Sequence, residues 1–128
     1  MKPIAKTASG GEISRVMLAI KTIFAQADKT NTVIFDEIDT GISGKASQAV
    51  ADSIVNLSKT HQVILITHQP IIAAKASGHF YVKKLQADTT KVNVYNLKDE
   101  NRVKAIALLA AGEINEESTS FAKKLLGV

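Results

Sequence analysis

The chain has 128 residues, a formal net charge of +4 and a hydrophobic fraction of 45%, which is enough for one α/β-sized domain with its own core. It contains no cysteine, which excludes disulfides and thiolate metal sites and favours a reducing compartment. The start, MKPIAKTASG, lacks the apolar core of a signal peptide, and no apolar run approaches the roughly 20 residues that span a bilayer. We therefore expect a soluble, cytoplasmic protein, whose scattered basic residues permit contact with nucleic acid without requiring it.

The first predicted element is a helix over about residues 12–28. Its apolar residues recur at the three-and-four spacing of one buried helical face. The face predicted to be buried comprises Ile13, Val16, Met17, Ile20, Ile23, Phe24 and Ala27.

Two short apolar runs predict strands that are buried on both faces. The first run, Val33 to Phe35, ends at a cluster of acids, and the second, Val63 to Ile66, ends at polar residues and Pro70. Between them a helix is predicted over about residues 44–60. Its inward residues are expected to be Val50, Ile54 and Leu57.

A short helix from Pro70 through Ala76 and a strand in "HFYVKK" follow. This alternation of strands and helices predicts right-handed crossovers and a parallel sheet. "FYVKKL" and "VNVYNL" alternate in period two around "QADTTK", which predicts an antiparallel hairpin at the sheet margin. Two helices, at about 99–111 before Gly112 and at about 116–126, complete a single α/β domain over residues 1–128.

Three polar clusters lie where strands end or helices begin, which is where ligands bind in such folds. They are Ser9-Gly10-Gly11-Glu12 at the start of the first helix, Asp36-Glu37 after the first strand, and Thr67-His68-Gln69 after the second. Glycines at a helix N-terminus let backbone amides approach a bulky anion, and phosphate is the usual one.

Each cluster also has a structural interpretation. Ser9 and Glu12 fit a capping box, although a capping box does not explain the paired glycines. Asp36 and Glu37 could close a strand before a turn, or hold magnesium and orient a water. His68 alone would more often be a hydrogen-bonded structural residue. Considered one at a time, the structural interpretations are the more common.

The order of the clusters resembles the C-terminal half of an ABC-type ATPase domain of the P-loop NTPase class. In that resemblance Ser9 to Glu12 form the signature motif and Val33 to Glu37 the Walker B strand. Asp39 is the D-loop aspartate and His68 the switch histidine. "ASGGEISRVMLAIK", "EIDTGISG" and "THQPIIAAKA" are similar, more narrowly, to the RecN family of bacterial DNA repair ATPases, which is related to SMC proteins.

The chain lacks a Gly-x4-Gly-Lys-Ser/Thr loop, the Walker A motif that cradles phosphates, and "GISGKAS" has the wrong spacing. The resemblance therefore implies one lobe of a split head, whose other lobe carries Walker A and a coiled coil. That lobe would extend the sheet and cover part of it. We expect this chain alone to expose apolar surface and to associate with itself.

The resemblance also implies the site residues. Asp36 would hold Mg²⁺ through water, Glu37 would act as general base on the attacking water, and His68 would contact the γ-phosphate of ATP. These residues would act on the nucleotide held by their own head.

The signature residues would act on a second head. Ser9, Gly10, Gly11 and Glu12 would close over the ATP of the opposite head of a homodimer, and Asp39 would couple the two sites across the interface. Hydrolysis would then control how the complete, nucleoid-associated protein holds DNA during double-strand break repair and recombination.

Two alternatives remain open at this point. One is a lobe of another SMC-like or Rad50-like head. The other is a docking module that keeps the fold without catalysis. The presence of Asp36, Glu37 and His68 together favours the ATPase interpretation.

Overall fold

A computed structural model describes residues 10–24, 30–85 and 91–128, and the chain divides into two compact units, Met1–Ile72 and Ala73–Val128. Among these residues, no helix is long and apolar enough to cross a membrane. The elements are, in order, α1 (Gly10–Phe24), β1 (Thr32–Phe35), α2 (Lys45–Leu57), β2 (Gln62–Leu65), α3 (Pro70–Ala74), β3 (His79–Leu85), β4 (Lys91–Leu97), α4 (Asp99–Ala111) and α5 (Glu116–Leu126).

The strands form two separate two-stranded sheets within the described residues. β1 and β2 pair in parallel, with Phe35 opposite Leu65, as predicted for strands joined through a helix. β3 was predicted to extend the parallel sheet, and it does not. It pairs along its whole length with β4 in the predicted antiparallel hairpin. Pairing with a strand only a few residues away along the chain costs less loop-closure entropy than pairing through a crossover, which favours this local pairing.

The core of the first unit lies on one side of the parallel sheet. Its buried residues are Leu18 of α1, Phe35 of β1, Ile38 and Leu57 of α2. Five half-buried residues pack against them: Val33, Val50, Ile54, Val63 and Leu65. The inward face predicted for α2 is thereby confirmed.

In the part of the chain that the structure describes, side chains on the other side of this sheet are exposed, which corrects the prediction that both strands are buried on both faces. Side chains alternate along a strand, so Val33 and Phe35 face the core while Ile34 between them is 64% exposed. Ile64 and Ile66 are exposed in the same way. The helices of the first unit that reach this core, α1 and α2, contact the side that carries Phe35.

The face of α1 that contacts the core is also not the predicted one. The described residues of the predicted stripe are exposed, and Ile23 is the most exposed of them at 75%. Ala27 lies outside the described residues. Gly11 and Leu18 are buried instead, and Ser14 and Arg15 between them are half-buried. The spacing 11, 14, 15, 18 is equally helical. It places a glycine and polar side chains against the loop that follows β1.

Several element ends differ from the prediction by one to three residues. α1 begins at Gly10, and its predicted end at 28 falls in residues 25–29, outside the described part. α2 ends at Leu57, where Ser58 N–H bonds the carbonyl of Ile54. α3 ends at Ala74. Such differences are usual where a last helical turn loosens.

The second unit contains the hairpin and two helices whose bounds match the prediction. Val103, Ile106, Ala107 and Ala122 form its core together with Ala73. α4 ends at Gly112, whose φ of 76° is readily adopted without a Cβ. α5 begins with a capping box in which Asn115 and Ser118 each bond the other's backbone N–H.

We expect the exposed apolar face of α1 to make the chain self-associate, because apolar surface gains free energy when water leaves it. Ile23→Lys should lower the apparent mass in light scattering across a dilution series and reduce binding of an apolar dye. Ser120→Lys, at an exposed polar position, adds the same charge without removing apolar surface and should change neither. A monomer at high concentration with no dye binding would contradict this expectation.

His79 should make stability fall with acid. Burial lowers the pKa of His79 below its ordinary value of 6.5, and the charge of Arg102 lowers it further. Above 6.5 the imidazole is neutral in both states. As pH falls below 6.5, the unfolded chain takes up a proton that the folded chain disfavours, so the free energy of unfolding decreases.

His79→Gln should therefore lose less stability than the parent chain between about pH 7.5 and about pH 5.5, measured by urea unfolding. Asn96→Gln, at an exposed position of β4 that carries no titratable group, is the control. Equal losses for the parent and the His79 variant would show that His79 does not contribute.

Candidate functional site

The polar clusters after β1 and β2 lie at the same edge of the parallel sheet. The strands are in register from Thr32 opposite Gln62 to Phe35 opposite Leu65. The pairing continues past the strand ends, since Ile66 N–H donates to the carbonyl of Phe35 at 3.0 Å. Because parallel strands present their carboxyl ends together, the loops 36–43 and 66–69 leave the sheet side by side.

Helix α1 holds the loop after β1 through its backbone carbonyls. The Ser14 hydroxyl donates to the Asp36 carbonyl at 2.9 Å. One guanidinium nitrogen of Arg15 donates to the carbonyls of Ile38 at 3.1 Å and Thr40 at 2.8 Å. Three carbonyls of this loop are therefore satisfied by side chains of α1.

The sequence analysis did not identify Ser14 and Arg15. The available signal was their spacing: they follow Gly11 by three and four residues and so share its helical face. The stronger apolar stripe on the other faces obscured that pattern.

Gly11 allows the helix to approach this loop. A Cβ at this position would lie 2.5 Å from the Glu37 carbonyl oxygen and 3.0 Å from Cβ of Thr40. The first distance is shorter than Cβ atoms show in real structures, and the second would require Thr40 to shift slightly. The second of the paired glycines is therefore required by packing within the chain. The predicted approach of Gly10 and Gly11 to a phosphate stays a prediction.

Asp36 and Glu37 have exposed side chains at the end of β1. Glu37 has a φ of 57°, in the left-handed region that a glutamate seldom adopts. Its carbonyl accepts from the Thr40 N–H at 3.1 Å and lies against Gly11. The fold thus fixes the backbone of Glu37 while leaving its carboxylate accessible.

Asp39 is the buried acid of the site, only 2% exposed. Its Oδ2 accepts from the Thr67 hydroxyl at 2.5 Å and from the His68 backbone N–H at 3.0 Å. The same oxygen lies 3.2 Å from Nδ1 of His68, whose side chain is 71% exposed. The expected role of Asp39 at an interface between heads stays a prediction, since in this structure its carboxylate contacts its own lobe.

A second contact joins the two loops. The Gln69 side-chain amide donates to the Ile42 carbonyl at 3.2 Å, and its backbone N–H bonds the Thr67 hydroxyl. The loops after β1 and β2 are therefore linked at both Asp39 and Gln69. The sequence placed Thr67, His68 and Gln69 in one cluster, and the structure confirms that they lie beside the Asp36–Asp39 loop.

The signature cluster is described only in part. Ser9 lies outside the described residues, and so does its capping box with Glu12, whose side chain is exposed. Gly10 is the first residue of α1. In the described residues, no group of three or more His, Asp or Glu side chains is arranged to hold a metal ion by itself. Mg²⁺ usually takes only one or two carboxylates besides substrate phosphates and water, which the exposed Asp36 carboxylate fits.

The chain is similar to several curated bacterial proteins along almost its whole length. It is 48% identical to the DNA repair protein RecN of Halalkalibacterium halodurans and 44% identical to that of Bacillus subtilis, over 98% of this chain in each case. The Treponema pallidum RecN is also 44% identical over 98% of the chain. No protein-family profile matches.

These matches confirm the resemblance to RecN that the motifs indicated. The chain spans only 23% of the Halalkalibacterium protein and 22% of the other two. The chain is therefore similar to one segment of these RecN proteins.

Gly11→Ala should destabilise the first unit by about 1–3 kcal/mol, the usual cost of forcing an extra carbon into a packed contact. The new Cβ would meet the Glu37 carbonyl, so α1 and the loop must separate. Urea unfolding would measure the loss. Gly78→Ala, where nothing lies within 4 Å of the added carbon, is the control and should be near neutral. Equal effects of the two substitutions would contradict the packing role.

Proposed function

We propose that this RecN-type segment is the C-terminal lobe of an ATPase head in a DNA repair protein, and that it supplies catalytic residues to ATP held mainly by another lobe. One observation carries the proposal. Asp36, Glu37 and His68 expose their side chains at the carboxyl ends of two paired parallel strands. Phosphate chemistry is commonly placed at such an edge of an α/β sheet.

Glu37 fits the role of general base. An exposed carboxylate can accept a proton from a water that attacks the terminal phosphate of ATP. The fixed backbone of Glu37 restricts the positions that its carboxylate can occupy. Positioning of the reacting groups is most of what phosphoryl transfer requires of a protein. The lobe thus supplies a base on a fixed loop.

Asp36 would hold Mg²⁺ through water. When bound, this ion would supply positive charge to the phosphate oxygens as negative charge develops on them. Asp36 is suited to that task because its side chain is exposed while its carbonyl is tied to Ser14. The contact with Ser14 therefore fixes the backbone from which the Asp36 carboxylate extends.

His68 would donate from its ring to the γ-phosphate. Its exposed imidazole follows β2, one strand away from the two acids. The three side chains would therefore approach one phosphate group from neighbouring loops. A hydrogen-bond donor placed there stabilises charge on the transferring group.

The start of α1 would act on a second head. Gly10, Gly11 and Glu12 are in the first turn of α1, and Ser9 precedes them in the sequence. The unpaired N–H groups and the dipole of a helix N-terminus favour an anion. ATP held by the opposite head of a homodimer would supply that anion. Ser14 and Arg15 of the same helix bond the loop that carries Asp36 and Glu37. α1 would therefore connect the ATP of the opposite head with the catalytic loop of its own head.

The DNA repair names of the relatives supply the biological context of the proposal. Hydrolysis in paired heads would control how the complete protein holds DNA ends during double-strand break repair in the cytoplasm, at the nucleoid. The Walker A lobe, the coiled coil and the second head are the partners that this requires.

The chain by itself should show no ATP turnover, because its sequence contains no Walker A loop. Combined with a Walker A lobe of a RecN-type protein, turnover should appear in a phosphate-release assay. Glu37→Gln should then reduce kcat by about 100-fold or more while ATP stays bound, since the substitution removes the base and keeps Asp36.

Glu117→Gln, an exposed glutamate in the first turn of α5, is the matched control and should leave kcat unchanged. Turnover by the chain alone, abolished by Glu37→Gln, would overturn the split-head proposal. A reconstituted head whose turnover does not depend on Glu37 would instead favour a docking module.

A further inference from the structure

The buried carboxylate of Asp39 connects the loop after β1 with the exposed histidine after β2. One oxygen, Oδ2, lies within 3.2 Å of three groups: the Thr67 hydroxyl, the His68 backbone N–H and the His68 ring nitrogen Nδ1. Asp39 therefore holds both the backbone and the side chain of His68. Its own side chain is almost fully removed from water.

A link between two loops does not by itself require a buried charge. A neutral amide could accept from the same hydroxyl and N–H, and burying a carboxylate costs more than burying an amide. What the carboxylate adds is a strong acceptor for a ring N–H. The contact with Nδ1 is the one that uses that property.

The contact also determines which nitrogen His68 presents. With Nδ1–H directed at the Asp39 carboxylate, Nε2 is the nitrogen left for a ligand. The imidazolium form donates from both ring nitrogens, so Nε2–H would donate to a phosphate oxygen while Nδ1–H stays on Asp39. Most of the ring is exposed, so Nε2 is accessible. Carboxylates that hold one nitrogen of a histidine in this way fix the ring's orientation for the other.

We infer that Asp39 is a positioning residue that acts within its own lobe, orienting His68 so that Nε2 faces the terminal phosphate of ATP. The inference rests on the proposed function, since His68 has a phosphate to meet only if that function holds. Thr67 assists by bonding the same carboxylate oxygen and, through its hydroxyl, the Gln69 N–H. The loop after β1 thus sets the direction of the histidine as well as the position of the acids.

The first test is kinetic and uses the reconstituted head. Asp39→Asn keeps the shape of the side chain and removes its charge. It should lower kcat about 10-fold to 100-fold, the usual effect of losing a residue that orients a functional histidine. KM for ATP should change little, because other groups bind most of the nucleotide. Asp52→Asn, which alters an exposed aspartate of α2 that accepts from Gln48, should have no effect.

A double-mutant cycle separates positioning from general support of the fold. If Asp39 acts through His68, Asp39→Asn should change kcat less than about 2-fold in a His68→Ala background. The same loss of kcat in both backgrounds would overturn the inference. So would an Asp39→Asn head with normal kcat. A head that keeps turnover despite Glu37→Gln would instead count against the proposed function.

The second test needs neither ATP nor a partner. Nitrogen NMR of the imidazole in this chain should show the His68 proton on Nδ1, and Asp39→Asn should shift the ring toward the Nε2-protonated tautomer that free histidine prefers. If Asp39→Asn fails to fold, Thr67→Val, which loosens the carboxylate and keeps its charge, should move the tautomer in the same direction. An unchanged tautomer in the folded variant would overturn the inference.

Discussion

The absence of a side chain at Gly11 is the constraint on which the candidate site depends. A Cβ there would lie 2.5 Å from the Glu37 carbonyl oxygen, so only glycine lets α1 lie directly on the loop after β1. That approach brings Ser14 and Arg15 within hydrogen-bond distance of three loop carbonyls. The loop, fixed from the helix side, directs Asp36 and Glu37 outward and Asp39 inward. Of the paired glycines at the start of α1, Gly11 is therefore explained by packing.

The parts of the fold that could be predicted from sequence are those encoded locally. α4 and α5 were predicted at their observed bounds, and Gly112 was the predicted stop of α4. The Asn115–Ser118 capping box, which was not predicted, gives the start of α5 a local physical cause. The short apolar runs located β1 and β2 to within one residue. The strand ends located the clusters after β1 and β2 as candidate ligand positions, and the resemblance then singled out Asp36, Glu37 and His68.

The parts that could not be predicted depend on which surfaces meet. Spacing shows that α1 is helical, but it cannot show that its polar and glycine face packs inward while the stripe of Val16 and Ile20 stays exposed. Apolar runs likewise cannot show that the side chain of Ile34 stays exposed. The burial of Asp39 was not visible either, since its partners Thr67 and His68 lie nearly thirty residues away. Such contacts depend on tertiary structure, which one sequence read locally does not contain.

The left-handed backbone of Glu37 has a consequence for how this position evolves. Asp and Asn are tolerated at positive φ because their short side chains can bond nearby backbone. Asp99, with a φ of 47°, is of this residue type. A glutamate gains less from such bonds, and a glycine would adopt the 57° of Glu37 without penalty. Selection for folding alone would therefore drift toward glycine at this position. Under the proposed function, the glutamate would be a trade between stability and activity, in which a residue at positive φ is kept for its carboxylate.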